Sequence, residues 1–182
     1  MISAILLAAG ESKRMKGENK LSKKIQNVPL IKHSIKNILN SSIDEIIIVL
    51  GHESEIIEKL INKNKKIKIV YNKNFKSGIS SSIKLGLKKL SNKTEAFFIC
   101  LGDMPMVNYY NRILFYYRSN LKFEKKMKIN KDKINIIIPT FNGKQSNPIL
   151  FTNSMKKKIM KIKGDVGAKN ILKLNKKKNI KC

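Results

Sequence analysis

Short apolar runs, too brief to be helices, recur along this chain and alternate with stretches of helical spacing. Ile2–Leu7, Ile46–Leu50, Ile67–Tyr71, Ala96–Leu101, Ile134–Ile138 and Ile149–Phe151 read as strands. Pro29–Leu39, Ser54–Ile61, Ser80–Leu90, Val107–Leu121, Met155–Ile162 and Val166–Leu174 read as helices. Ile46–Leu50 and Ala96–Leu101 contain no polar alternation, so both faces of those strands are expected to be buried. That pattern belongs to parallel sheets covered by helices on each side. The expected fold is therefore α/β, a three-layer sandwich around a mostly parallel, mixed central sheet. No repeat or linker divides the 182 residues, a length that suits one domain, and lysine-rich Lys122–Lys133 reads as a solvated connection. Pro29 falls near a first turn, where its missing N–H costs nothing, and Ser80 or Ser81 is the expected N-cap of its helix. Open α/β sheets bind ligands at the carboxyl ends of their strands. The segments that matter are those following Leu7, Leu50, Tyr71 and Leu101.

Composition narrows the partners. Apolar residues make up 42% of the chain, enough for a core and incompatible with wholesale disorder. The formal charge of +27 points at first sight to a polyanion, nucleic acid or a membrane surface. The excess is nearly all lysine, 36 Lys against three Arg, scattered rather than gathered in one arm. Dedicated nucleic-acid surfaces draw on Arg for bidentate contacts. Lys, Asn and Ile supply 85 of the 182 residues, and all three have A/T-rich codons, so mutational bias accounts for the basicity better than a nucleic-acid partner does. A basic nucleic-acid-binding domain is the competing class. Cys100 and Cys182 make neither a disulfide framework nor a metal cluster, which fits a reducing cytoplasm. No apolar run nears the roughly 18 residues of a membrane span, so no membrane partner is expected. Apolar Met1–Ala9 lacks the basic residue that opens a signal peptide and reads as a buried first strand.

Two strand ends carry the chemistry. Leu7-Ala8-Ala9-Gly10-Glu11-Ser12-Lys13-Arg14 leaves the first strand as a small-residue turn, followed by Asn19-Lys20-Leu21. It is neither a P-loop nor a G-x-G-x-x-G fingerprint. Small side chains let phosphate approach backbone N–H groups, and Arg14 and Lys20 supply neutralising charge. After Ala96–Leu101 comes Gly102-Asp103-Met104-Pro105, which holds one of only four Asp in the chain. A carboxylate there can hold Mg²⁺, which usually takes one or two carboxylates plus substrate phosphates and waters. The alternative is an Asp that caps the next helix or makes a turn. Both loops together, at neighbouring strand ends, favour nucleotide binding.

Six segments occur in order: Leu-Ala-Ala-Gly-x-Ser-x-Arg-Met from Leu7, Asn19-Lys20-Leu21, Gly78-Ile79-Ser80-Ser81-Ser82, Leu101-Gly102-Asp103-Met104-Pro105, Asn147-Pro148-Ile149-Leu150-Phe151, and Gly164-Asp165-Val166-Gly167-Ala168-Lys169. Together they resemble the molybdenum cofactor cytidylyltransferase family, within the MobA-like nucleotidyltransferases of glycosyltransferase-A-type fold. The similarity runs from residue 2 to about residue 174. Related guanylyltransferases usually show Leu-Ala-Gly-Gly at the first loop, and Ala9 resembles the cytidylyl branch instead. The resemblance implies one nucleotide-diphospho-sugar-transferase-like domain over residues 1–182. It implies transfer of CMP from CTP to the terminal phosphate of molybdopterin, release of pyrophosphate, Mg²⁺ as cofactor and a transient contact with a molybdoenzyme maturation factor. On that reading Leu7, Ala8 and Ala9 line the nucleotide, while Gly10, Ser12 and Arg14 cradle the triphosphate. Lys20 meets the α-phosphate and Asp103 holds the metal, so Arg14, Lys20 and Asp103 form the catalytic set. Asn72, Gly78, Ser80 and Ser81 approach base and ribose, and Gly143, Asn147, Pro148, Asp165 and Gly167 face the acceptor. Such chemistry needs positioning and charge neutralisation more than a protein base.

Members of that family continue into an Asp-x-Asp-Thr-Pro-like segment that supplies a second metal contact and a closing helix. The present sequence ends at Cys182 after an expected lead-in strand, Asn179–Lys181, so weakened metal affinity and activity on an otherwise intact fold are expected. Within the nucleotide class the alternatives are a guanylyl- or other nucleotidyltransferase with a different phosphate acceptor, and an inactive nucleotide-binding remnant. Structural roles are expected for His33, on a helix surface or in a satisfied core contact, and for Cys100 in the core. Tyr109, Tyr110, Phe115, Tyr116 and Tyr117 are expected to pack a helix on the sheet. His52 either serves a strand-to-helix turn or borders the nucleotide.

Overall fold

The computed structural model describes residues 1–12, 19–126, 135–165, 167 and 179–181. Among them, seven strands form one sheet: β1 (Ile2–Ala8), β2 (Glu45–Leu50), β3 (Ile67–Tyr71), β4 (Ala96–Leu101), β5 (Ile136–Ile138), β6 (Ile149–Thr152) and β7 (Asn179–Lys181). The spatial order is β7-β5-β6-β4-β1-β2-β3. β1 runs parallel to β2 and β4, and β2 parallel to β3. β6 is antiparallel to both of its neighbours, and β7 pairs in parallel with β5. The expected mixed, mostly parallel sheet is therefore present, and the lead-in strand forms its edge.

The register explains where ligands can enter. Leu7 stands opposite Val49 on one side and Leu101 on the other, and Leu50 opposite Ala8 and Tyr71. The carboxyl ends of β1, β2, β3 and β4 thus finish along a single edge. Strand order reverses at β1, whose partners lie on opposite sides, and such a switch point opens a crevice between the loops.

Alternation along the strands builds two cores. Ala4, Leu6, Ala8, Ile46, Ile48, Leu50, Phe98 and Cys100 face one helix layer, with apolar side chains of α1 (Leu30–Leu39), α2 (Ser54–Lys59) and α4 (Tyr110–Lys126). Ile5, Leu7, Ile47, Val49, Phe97 and Ile99 face the other, against α3 (Ile79–Lys89) and α5 (Lys156–Ile159). Phe98 meets Tyr110 edge-on at 5.4 Å, while Phe97 stacks on Phe151 at 5.8 Å. Full burial of each such side chain is worth about 1.5–3 kcal/mol, so strands apolar on both faces are held from both sides. Cys100 lies in this core beside Tyr110, and burial pushes its thiol up to about 12.

The helices depart from expectation at their ends. α3 begins at Ile79 after Gly78, with Ser80 and Ser81 inside its first turn rather than capping it. α4 begins at Tyr110, not Val107, because the loop before it is held by other partners. It runs on to Lys126, into the stretch expected to be a connection. The helix expected over Met155–Ile162 is a 3-10 turn, Asn153–Met155, followed by the short α5. Residue 134, and the helix expected over 166–174 apart from Gly167, lie outside the described residues. Two hairpins, Lys24–Ile25 with Val28–Pro29 and Thr140–Phe141 with Lys144–Gln145, have arms too short to leave an alternation in sequence. Among the described residues no helix is long and apolar enough to cross a membrane.

Candidate active site

The turn leaving β1 is seated on the turn leaving β2. The Ala9 carbonyl accepts the His52 N–H at 3.2 Å, and a Cβ added at Gly51 would stand 2.8 Å from that of Ala9. Ala8 and Ala9 are buried, Gly10 is exposed, and Ser12 adopts a left-handed φ of 51°. Ser12 Oγ accepts the backbone N–H of Lys20 at 3.2 Å, which ties the first loop to a 3-10 turn at Lys20–Ser22. Asn19 caps that turn, its Oδ1 accepting the Leu21 N–H at 3.1 Å. Arg14 lies outside the described residues.

The loop after β4 is pinned from three directions. The Gly102 N–H donates to the Leu7 carbonyl at 2.9 Å, which places this loop beside the first. Ser34 Oγ of α1 donates to the Gly102 carbonyl at 2.8 Å, and Asn37 Nδ2 donates to the Pro105 carbonyl at 2.6 Å. Ser34 sits on the buried face of α1 between Ile31 and Ile35, where an apolar residue would otherwise pack. Asp103 is thereby held at the mouth, and its Oδ2 meets the Lys20 ammonium at 3.0 Å. Side-chain exposures of 43% for Lys20 and 40% for Asp103 leave the pair screened, so it contributes little to stability. Its importance is positional: an acid and a base meet beside the small-residue turn. Asp103 does not cap a helix, because α4 starts only at Tyr110.

A second group forms at the start of α3. The Asn72 N–H donates to the Leu50 carbonyl at 2.7 Å. Asn72 Nδ2 donates to Ser81 Oγ at 2.8 Å and to Ser82 Oγ at 2.9 Å, while Oδ1 accepts the Asn74 N–H at 3.0 Å. Its side chain is therefore spent within the protein and joins the end of β3 to the first turn of α3. Gly78 has φ 101°, and a Cβ there would lie 2.4 Å from the carbonyl carbon of Gly164. The Ser80 N–H donates to the Gly164 carbonyl at 3.3 Å, and Asp165 Oδ1 accepts the Ile79 N–H at 3.4 Å. Segments expected to face the base and the acceptor are thus in contact.

The other expected acceptor residues sit nearer β4. Gly143 is the exposed turn of a hairpin. The cis Asn147–Pro148 peptide precedes β6, and the Tyr109 hydroxyl donates to the Asn147 carbonyl. Tyr109 is thus tied to this loop as well as to the core. His52, at the β2 end, lies 5.9 Å from Phe75 and 3.8 Å from Glu53. His33 Nε2 reaches the Ile25 carbonyl at 3.0 Å, the helix-surface role expected of it. Sequence reasoning missed Ser34 and Asn37. The available signal was a hydroxyl on the apolar stripe of an amphipathic helix.

Among the described residues no group of three His, Cys, Asp or Glu could hold a metal ion. A lone, half-exposed carboxylate is a poor zinc site, but it suits Mg²⁺, which keeps waters and shares substrate phosphates.

Comparison with known proteins agrees with this geometry. The family model of the MobA-like NTP transferase domain matches residues 4–180. A probable molybdenum cofactor guanylyltransferase of Natranaerobius thermophilus is 33% identical over 144 residues, 78% of this chain and 62% of that protein. The bifunctional protein GlmU of Acetivibrio thermocellus is 30% identical over 108 residues, 58% of this chain, and the match spans only 23% of that longer protein. The crystal structure of Rv0371c from Mycobacterium tuberculosis superposes with a TM-score of 0.82 at 16% identity, covering 100% of this chain and 86% of that one. A second structure of Rv0371c, described as a complex with manganese, gives 0.76 at 14% identity with the same coverage. The fold, the paired strand-end loops and the match over nearly the whole length converge: this chain belongs to the MobA-like NTP transferase domain family.

Proposed function

We propose that this chain is a nucleotidyltransferase that moves CMP from CTP to the terminal phosphate of a molybdopterin-type acceptor and releases pyrophosphate. The observation that carries the reading is the Lys20–Asp103 pair, 3.0 Å apart, beside the loop that follows β1. An acceptor phosphate oxygen attacks the α-phosphorus, the bond from that phosphorus to the bridging oxygen breaks, and pyrophosphate leaves with the electron pair. No protein base is required, since the acceptor is already anionic. Lys20 is released from Asp103 to neutralise the α-phosphate. Asp103 would hold Mg²⁺, which when bound supplies charge neutralisation along the polyphosphate. Ser34 and Asn37 keep the Asp103 loop from reorganising as charge develops, the condition under which fixed dipoles accelerate most. The manganese named for Rv0371c supports a divalent ion in this fold. A reducing cytoplasm suits the buried free thiol of Cys100.

Ala9 supports the cytidylyl branch. Its methyl lies where a Cβ on Gly51 would come within 2.8 Å of it, and the guanylyl pattern carries a glycine at this position. The Natranaerobius relative favours GTP as the second reading. Pyrophosphate release with molybdopterin, Mg²⁺ and either CTP or GTP separates the two. CTP is expected to turn over faster than GTP, and Asp103→Ala to lose about a hundredfold or more. Equal turnover in Asp103→Ala, or undiminished turnover after chelation of divalent ions, would contradict the reading.

A further inference from the structure

We infer that Asn19 belongs to the nucleotide site, its side-chain amide donating a hydrogen bond to a phosphate oxygen of the nucleoside triphosphate. This assignment rests on the proposed nucleotidyl transfer and adds a binding residue to it. Asn19 is 4% exposed, and among the described residues its Nδ2 is a buried polar atom with no hydrogen-bond partner. The orientation is fixed, because Oδ1 accepts the Leu21 N–H at 3.1 Å and turning the amide over would set two donors against each other. Buried amide groups without an acceptor are costly and uncommon in native proteins, and each calls for an explanation.

The surroundings say what is missing. Among the described residues, three acceptor atoms around Asn19 and Lys20 already take donors. Ser12 Oγ takes the Lys20 N–H, and the Asn19 carbonyl takes both the Ser22 N–H at 3.1 Å and the Ser22 hydroxyl at 2.8 Å. Asp103 Oδ2 takes the Lys20 ammonium. Asn19 Nδ2 and the Lys20 ammonium thus gather two donors on one short turn. A triphosphate offers only acceptors, and Lys20, the next residue in the chain, is the cation proposed to meet it. Leu21, 6% exposed, anchors the turn that carries both residues, so the two donors are presented as one rigid unit.

Asn19→Ser tests this, because serine keeps an oxygen to cap the turn and has no amide nitrogen. Calorimetric titration with CTP and Mg²⁺, and separately with inorganic triphosphate, is compared with the melting temperature of the unliganded protein. The expected result is an unchanged or raised melting temperature with both affinities weakened about tenfold or more, and a KM increase exceeding any kcat loss; tenfold corresponds to about 1.4 kcal/mol. Asn19→Asp, nearly isosteric and a good cap, is expected to weaken both ligands further. Affinities within twofold of wild type in both variants would overturn the assignment, as would a loss confined to melting temperature, which would leave Asn19 a cap alone. Asp103→Ala is run in parallel. If it loses turnover while the Asn19 variants bind normally, the proposed function stands and this assignment falls. If the wild-type protein binds neither CTP nor GTP, both fall.

Discussion

Gly78 shows how a single residue constrains the site. Its φ of 101°, and the 2.4 Å that would separate an added Cβ from the Gly164 carbonyl carbon, leave no room for a side chain. Gly78→Ala is expected to destabilise the fold by about 1–3 kcal/mol, read as a lowered denaturant midpoint at unchanged slope. At this scale the sequence was informative unevenly. Asp103 stood out because acids are scarce and it follows a buried strand. Lys20 stood out only through its place in the Asn19-Lys20-Leu21 segment, because taken alone one lysine among 36 reads as surface until the structure shows which carboxylate it meets. The Asn19 nitrogen, unpartnered among the described residues, was invisible for a similar reason: whether a donor finds an acceptor is decided by the folded surroundings.

At the scale of elements, the loops are held by side chains that helices and strands spend on them. α1 gives Ser34 and Asn37 to the Asp103 loop, and the end of β3 gives Asn72 to the first turn of α3. Asn72→Ala removes both donors to the serines and the acceptor for Asn74. About 1–3 kcal/mol of stability is expected to be lost, measurable by urea unfolding, with KM for the nucleotide rising more than kcat falls. The β1, β2, β3 and β4 strands were legible because continuous apolar runs have few alternatives once buried on both faces. Helix starts were not. Ser80 and Ser81 look like caps in sequence, yet Asn72 donates to the Ser81 hydroxyl and Asp165 accepts the Ile79 N–H, so the serines fall inside the helix. Arms of two residues, as in the hairpins at Lys24–Ile25 and Thr140–Phe141, carry no periodicity to read.

At the scale of the molecule, the sheet order puts the loops after β1 and β4 side by side at a switch point, and the rest of the site follows from that adjacency. The charge does not define the site. No described lysine is buried, and most are exposed, as expected of residues that solvate a surface. The central claim is that the first loop, Lys20 and Asp103 form one site for a metal-chelated nucleoside triphosphate. Calorimetric titration of CTP with Mg²⁺ into the wild-type protein and into Lys20→Met tests it most directly. Saturable binding at one site, weakened about tenfold or more by Lys20→Met, is the predicted result. Absence of CTP binding by the wild-type protein, or equal affinity in the variant, would contradict it.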